Sequence, residues 1–144
     1  MKNYMQSAND YYSRFVHSKD FVEFESGYLL SEGVFKISKE EECFWLLQII
    51  CFQPKISADN IFESWTFKRE EGLAYILRAK DYNSNILFEK SFPSPDFFFN
   101  EMIIWKVGNY LLLPGEYDEF VKMISKQRDT PHCFDIDINN IKKN

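Results

Sequence analysis

The chain has 144 residues and a formal net charge of −5, with 18% aromatic residues and only 5 glycines and 5 prolines. This length predicts a single domain over residues 1–144, and no apolar run is long enough to cross a bilayer. Lysine and arginine do not cluster into a basic stripe, which excludes the usual signature of direct binding to a nucleic-acid backbone. Because no apolar leader follows the first methionine and the three cysteines lack C-x-x-C spacing, we expect a cytoplasmic protein.

Residues 1–60 are predicted to be mainly helical. Apolar residues at spacings of three and four over residues 4–16 predict a short amphipathic helix. The nearly uninterrupted apolar run at residues 43–52 predicts a central helix that the rest of the chain must cover. Ser38 and Glu41 have the spacing of a capping box, and acidic residues precede the run, so we expect the central helix to begin near Lys39.

Residues 61–113 are predicted to form a four- to five-stranded antiparallel meander. Apolar residues tend to alternate there, with turns predicted at residues 70–72 and 83–85. A Gly-Asn pair at residues 108–109 predicts a tight hairpin between the last two strands. The connections are short, which favours antiparallel neighbours, because parallel strands need longer crossover connections.

The order of these elements is typical of the α+β class. N-terminal helices and a buried central helix would pack on the four- to five-stranded antiparallel meander. Helical spacing then returns and predicts a C-terminal helix over residues 115–127. Residues 128–144 form a tail that we interpret as an edge strand or an extension.

The densest group of potential catalytic or metal-binding residues lies in the tail: His132, Cys133, Asp135 and Asp137. A metal site needs three or four converging ligands, which this group alone does not supply, so a solvated strand edge explains it better. Adjacent residues on a strand point to opposite faces, which disfavours a nucleophilic Cys133–His132 pair. No known catalytic motif occurs, and we expect neither enzymatic activity nor a cofactor nor a metal.

Two short runs are candidate contacts with a protein partner. They comprise Phe97, Phe98, Phe99, Glu40, Glu41 and Glu42. Three consecutive phenylalanines are awkward to bury together, although the first and third could point inward while a loop partly covers the second. The acidic run could contact a basic partner, and its alternative interpretation is a solvated helix start.

Several further segments, taken together, resemble the pattern of a known protein family. They are Ser31-Glu32-Gly33-Val34, Phe44-Trp45-Leu46-Leu47 with Ile50, the strand from Phe62 to Trp65, and Leu111-Leu112-Leu113-Pro114-Gly115-Glu116-Tyr117. Together they resemble a family of small proteins of unknown function from bacteria, phages and mobile elements. This chain differs from the usual family pattern at Phe44, Gln48 and Gly115, where tyrosine, an acidic residue and serine are common. The resemblance implies core and turn positions and no particular activity.

The resemblance also implies a context, because small proteins of mobile elements include inhibitors of host defence. We therefore expect a non-enzymatic, anti-CRISPR-like inhibitor that binds an RNA-guided CRISPR effector nuclease, whose guide channel is strongly basic. The alternative is a homodimeric structural or adaptor module that associates through a sheet edge or the Phe97–Phe99 run. A third hypothesis is a hydrolase that uses His132 and the acidic residues of the tail.

Overall fold

The computed structural model describes residues 2–16, 20–53 and 62–127 of the chain. Its helices are α1 (Ala8–Tyr11), α2 (Glu32–Glu40), α3 (Phe44–Cys51) and α4 (Tyr117–Gln127). Its strands are β1 (Val22–Glu23), β2 (Leu29–Leu30), β3 (Phe62–Arg69), β4 (Tyr75–Lys80), β5 (Ile86–Phe92), β6 (Glu101–Val107) and β7 (Tyr110–Leu112). Single 3-10 turns occupy Glu25–Gly27 and Pro114–Glu116.

These strands form one mixed sheet in the order β1-β2-β7-β6-β3-β4-β5. The α+β class is therefore confirmed, but the prediction of a four- to five-stranded antiparallel sheet is wrong. β2 runs parallel to β7, with Leu29 opposite Tyr110 and Leu30 opposite Leu111. β1 and β2 have two residues each and lie in the region predicted to be helical. Strands this short contain too few residues to produce a recognisable alternation.

The meander prediction also fails at the connection between β5 and β6. β3, β4 and β5 follow one another as antiparallel neighbours, but β6 pairs with the other side of β3. The connecting residues 93–100 must therefore pass the ends of β4 and β3. The predicted hairpin at residues 108–109 is confirmed, because Val107 pairs with Tyr110 across it.

The predicted central helix is α3, which spans Phe44–Cys51, and a separate helix, α2, precedes it. Ser31 caps α2, since its side chain accepts a hydrogen bond from the Val34 amide. Ser38 lies inside α2, so the predicted start near Lys39 is wrong. The chain turns between α2 and α3 at Glu42, whose φ is 54°. The short amphipathic helix predicted from the spacing over residues 4–16 is α1, a single turn with Ser7 as its cap.

Two apolar cores lie on opposite faces of the sheet. The first three helices cover one face, where Trp65, Phe67 and Ile104 are buried against them. Helix α4 covers the other face, where Phe120 packs near Val107 and the β7 side chains. Successive side chains of β7 point to opposite faces of the sheet. Leu111 therefore belongs to the first core, and Tyr110 and Leu112 belong to the second.

Helix α4 covers Tyr117–Gln127, within residues 115–127 where the helical spacing predicted a helix. The tail over residues 128–144, with its candidate residues His132, Cys133, Asp135 and Asp137, lies outside the described residues. Across the described ranges, no helix combines the length and apolar character that a membrane span requires.

Candidate protein-binding surface

The three consecutive phenylalanines lie on the connection between β5 and β6. Phe97 and Phe99 are buried, at 8% and 0% exposure, whereas Phe98 is 39% exposed. The Phe97 ring packs edge-on against Phe67, with centroids 5.3 Å apart. The Tyr75 hydroxyl oxygen lies 2.5 Å from the Phe99 carbonyl oxygen and 3.5 Å from that of Phe97, so it contacts the backbone on either side of Phe98. The crossing connection thus turns two rings into the core and leaves the middle ring at the surface.

The three glutamates lie at the end of α2, where the prediction placed a helix start. Glu40 is its last residue, and Glu41 and Glu42 lead into the turn before α3. Negative charge is less favourable at this end of a helix, because the carbonyl end of the dipole is itself negative. Side-chain contacts therefore have to offset this for Glu40 and Glu41, and they come both from Lys36 within α2 and from other parts of the chain. The Glu41 side chain is only 3% exposed.

Tyr12, the residue that closes α1, supplies the first of these contacts. Its hydroxyl oxygen lies 2.8 Å from Glu40 Oε1 and 2.8 Å from Glu41 Oε2. A hydroxyl carries one hydrogen, so its donation is shared between the two carboxylates. The hydrogen bond from Tyr12, followed by that from Lys36, holds the pKa of Glu40 below its ordinary value. Burial and then the hydrogen bonds to Glu41 and Glu40 raise the pKa of Tyr12 far above its ordinary value.

Lys2 joins the acidic run to the aromatic run. Its ammonium lies 2.9 Å from Glu41 Oε2. The same nitrogen lies 4.6 Å from the centroid of the Phe98 ring and 5.4 Å from that of Phe99. We call Lys2, Tyr12, Glu40, Glu41 and Phe98 the Phe98 surface. The structure thus brings together candidate residues that the sequence analysis treated as separate.

The N-terminal segment that carries Lys2 is held against β6. Ser7 forms a parallel bridge with Glu101, beyond the end of the short strand β7. The Asn9 side chain then takes the place of a strand residue, because its amide donates to the carbonyl of Ile103 and accepts from the Ile103 amide, at 2.8 and 2.6 Å. These contacts place the segment beside the Phe97–Phe99 connection.

Two more exposed apolar side chains lie on the N-terminal segment that carries Lys2. Tyr4 and Met5 are 52% and 61% exposed and lie on a turn closed by the Gln6 amide and the Asn3 carbonyl. The Gln6 carbonyl accepts from the Asn100 amide, so the turn is tied to the residues that follow Phe99. Neighbouring apolar side chains of this kind are typical of protein-binding sites.

The charges at the Phe98 surface are largely balanced within the chain. Lys36 lies 3.1 Å from Glu40, and Lys2 pairs with Glu41. The surface therefore presents an aromatic ring beside a network of ion pairs. Glu42 is exposed at its margin.

Sequence reasoning missed Lys2 and Tyr12 as members of this surface. The spacing of Tyr12 is that of an apolar position on a helix. It correctly indicates that the Tyr12 ring is buried, but it does not indicate what the Tyr12 hydroxyl contacts. Lys2 had no local signal, because its partners Glu41 and Phe98 lie far away along the chain. A covarying pair in an alignment is the kind of signal that finds such contacts.

A second polar cluster is fully buried at the opposite end of α2. Glu116 is 1% exposed and accepts hydrogen bonds from Ser31 Oγ at 2.5 Å, the Leu113 amide at 2.8 Å and the Gly33 amide at 3.1 Å. Burial raises the pKa of Glu116, and these three hydrogen bonds oppose that rise. We call this group the Glu116 clasp. It joins the two resembling segments at residues 31–34 and 111–117, and its contacts are structural.

The other described residues that could act in catalysis or metal binding are the two cysteines and the acidic side chains. Cys43 and Cys51 are buried, and burial raises the pKa of each thiol to about 12, so both are protonated at neutral pH. In the described part of the chain, no three His, Cys, Asp or Glu side chains converge as metal ligands would.

Comparison with known proteins agrees with the sequence resemblance at the level of the family. The model of a family of unknown function (DUF6876) matches residues 6–117. The matched region contains the Glu116 clasp and Phe98, whereas Lys2 lies before it. No curated protein and no solved structure matches the chain significantly.

Proposed function

This chain belongs to the DUF6876 family of unknown function, and we propose that it is a non-enzymatic inhibitor that binds a basic protein partner through the Phe98 surface. The observation that carries this proposal is the convergence of exposed Phe98 with Glu41 around Lys2. Exposed aromatic and methionine side chains are enriched where proteins bind one another. Tyr4 and Met5, on the segment that carries Lys2, supply such side chains on a backbone tied to Asn100.

The partner that we propose is an RNA-guided CRISPR effector nuclease. Because such a nuclease acts inside the host cell, the protein would act in the host cytoplasm. Such nucleases bind their guide and target in a positively charged channel. The net charge of −5 favours association with a basic surface. The resemblance to small proteins of mobile elements supports a role in the evasion of host defence.

The test uses the full chain and a purified effector nuclease with its guide RNA. We expect the protein to co-elute with the ribonucleoprotein in size-exclusion chromatography and to reduce cleavage of the target. Replacing Phe98 by alanine should weaken binding about tenfold, which corresponds to the loss of about 1.4 kcal/mol at a central aromatic contact.

The matched control is Phe52→Ala. Phe52 is 56% exposed and closes α3, a helix that contributes no residue to the Phe98 surface. Its removal should leave binding unchanged. A protein that neither co-elutes with the tested effectors nor slows their cleavage would contradict the nuclease proposal. Equal effects of the two substitutions would contradict the role of the Phe98 surface.

A homodimeric adaptor is the second candidate, because β5 is an outer strand of the sheet and Ile86 on it is 58% exposed. However, Glu89 and Lys90 are exposed on that strand and its register with β4 is irregular, features that discourage pairing between edges. Sedimentation equilibrium separates the candidates. A stable dimer would favour the adaptor, and a monomer would leave the Phe98 surface free for another protein.

A further inference from the structure

We infer that the position of the Lys2 ammonium is a lysine-binding site, which the chain's own Lys2 fills until a lysine of the partner replaces it. The site consists of the Glu41 carboxylate and the rings of Phe98 and Phe99. This inference rests on the proposed function for the nature of the partner. It goes further by naming the side chain that the partner inserts.

The site combines the two kinds of group that attract an ammonium ion. Lys2 Nζ lies 2.9 Å from Glu41 Oε2 and 4.6 Å from the centre of the Phe98 ring. A carboxylate attracts the cation directly, and the negative face of an aromatic ring attracts it through the ring quadrupole. Both groups are positioned by contacts other than Lys2, since Tyr12 donates to Glu41 and the Phe98 ring packs edge-on against Phe99 with centroids 5.1 Å apart.

The geometry favours a lysine over an arginine. Lys2 and Tyr12 both contact the same carboxylate oxygen, Glu41 Oε2. A guanidinium binds best through two parallel hydrogen bonds to both oxygens of a carboxylate, whereas an ammonium acts as a compact point charge. The observed contact of Lys2 with one carboxylate oxygen, beside an aromatic ring, is therefore the geometry of an ammonium.

Displacement requires a cation because Glu41 is buried. Its side chain is 3% exposed, so removal of Lys2 without replacement would leave a buried carboxylate without its ion pair. An incoming lysine restores the pair. The Lys2 side chain is itself 38% exposed, which gives a competing side chain access to the site.

The test titrates Nα-acetyl-lysine N-methylamide into the full-length protein and follows the Phe98 ring signals by NMR. Lys2→Met keeps the length and apolar stem of the side chain but removes its charge. We expect this variant to bind the probe about tenfold more tightly than the original protein. This factor follows if Lys2 occupies the site about nine-tenths of the time, because the probe can then bind only the remaining tenth of the molecules. Adding Glu41→Gln to Lys2→Met should abolish binding.

Lys36→Met is the matched control, because it removes the ammonium 3.1 Å from the neighbouring Glu40. It should leave the affinity for the probe unchanged, and the uncharged norleucine analogue should not bind any variant. Unfolding curves will establish that Lys2→Met is folded, and Lys2→Gln replaces it if it is not. Unchanged affinity in the folded Lys2 variant, or an equal gain in Lys36→Met, would overturn the inference.

The same variants separate this inference from the proposed function. If an effector nuclease binds the protein and Lys2→Met does not strengthen the complex, the proposed function stands and the lysine site fails. If the probe binds as expected but no nuclease does, the lysine site stands and the identity of the partner fails.

Discussion

At the scale of single residues, the Glu116 clasp shows how a charged side chain is accommodated inside a core. Its carboxylate replaces water with three donors, one from Ser31 and two from the backbone. One backbone donor, the Gly33 amide, lies in the first turn of α2, where amides lack partners within the helix and favour a negative charge, and the Ser31 hydroxyl belongs to the residue that caps α2. The clasp thereby joins the start of α2 to the residues before α4.

Glycine is required at position 33 because the side chains of Leu113 and Glu116 lie very close to its backbone. A Cβ atom added there would lie 2.6 Å from Leu113 Cδ1 and 3.0 Å from both carboxylate oxygens of Glu116. We predict that Gly33→Ala lowers the free energy of unfolding by about 1–3 kcal/mol, because the carboxylate must shift away from its donors. Urea denaturation measures the change.

Gly115→Ala is the matched control for this prediction. Among the described residues, a Cβ atom at Gly115 would meet the Phe15 carbonyl oxygen at 3.7 Å, which is an ordinary contact. The free energy of unfolding should therefore change little in this variant. Equal losses in the two variants would show that close approach at Gly33 is unimportant.

The raised pKa of Glu116 predicts a pH dependence of stability with a definite sign. Because the folded protein holds this proton more tightly than the unfolded chain does, the contribution of Glu116 is fully present below its ordinary pKa of 4.5 and is lost as the pH rises through the folded value. Glu116→Gln does not titrate. We expect the stability difference between the original protein and this variant to be largest below pH 4.5 and to shrink above it.

Urea unfolding of both proteins at a series of pH values measures this difference. Glu116→Asp, which keeps an ionisable group at the same position, is the control and should retain a pH dependence. A difference that grows as the pH rises would contradict the prediction and show that the three donors outweigh burial.

At the scale of elements, the turn between α2 and α3 decides where the acidic run lies. The Cys43 amide donates to the carbonyl of Ser38 at 2.9 Å, as in a Schellman motif. Glu42 then occupies the left-handed position with φ of 54°, which glycine usually holds. This break brings Glu41 under Lys2 and Tyr12.

We predict that Glu42→Gly raises the free energy of unfolding by about 0.5–1 kcal/mol. A non-glycine residue pays about 1–2 kcal/mol for the left-handed conformation, and the greater freedom of glycine in the unfolded chain offsets part of the gain. Thermal and urea unfolding measure the effect.

Lys39→Gly is the control, because Lys39 is exposed within the last turn of α2. It should lower the free energy of unfolding by about 0.5–1 kcal/mol, since glycine disfavours a helix interior. A loss of stability in Glu42→Gly would show that the Glu42 side chain contributes more than the strain of its backbone costs.

At the scale of the whole molecule, one sheet lies between two apolar cores and contributes side chains to both. β7 contributes Leu111 to the core beneath α2 and α3, and Tyr110 and Leu112 to the core beneath α4. Either core can be lost only if the strands that carry the other are also disturbed. We therefore expect the two sides of the sheet to unfold together.

Phe120→Ala tests this coupling. Phe120 is 2% exposed, and its ring lies 5.0 Å from that of Tyr110. The substitution should lower the free energy of unfolding by about 3–5 kcal/mol, and Phe120→Leu should cost less. The NMR signals of Trp105 beside α4 and of Trp45 on the other side should vanish at the same urea concentration. Separate midpoints would show that the cores unfold independently.

Much of the sheet and the last helix could be predicted because their signals are local. Alternation over residues 61–68 agrees with β3, the Gly-Asn pair agrees with the hairpin after β6, and helical spacing agrees with α4. The start of the central helix could not be predicted in the same way. The S-x-x-E spacing of Ser38 and Glu41 fits a helix interior as well as a cap, and the left-handed turn at Glu42 has no glycine to mark it.

The amino-acid sequence by itself determined the α+β class, the positions of the longer strands and α4, and the residue types available to a binding surface. These properties depend on residues a few positions apart. The tertiary structure alone decided that β2 pairs in parallel with β7, that β6 lies beside β3, and that Lys2 bridges Glu41 and Phe98. Each of these contacts joins residues that are distant along the chain, and packing of the whole core selects among the many pairings that local patterns allow.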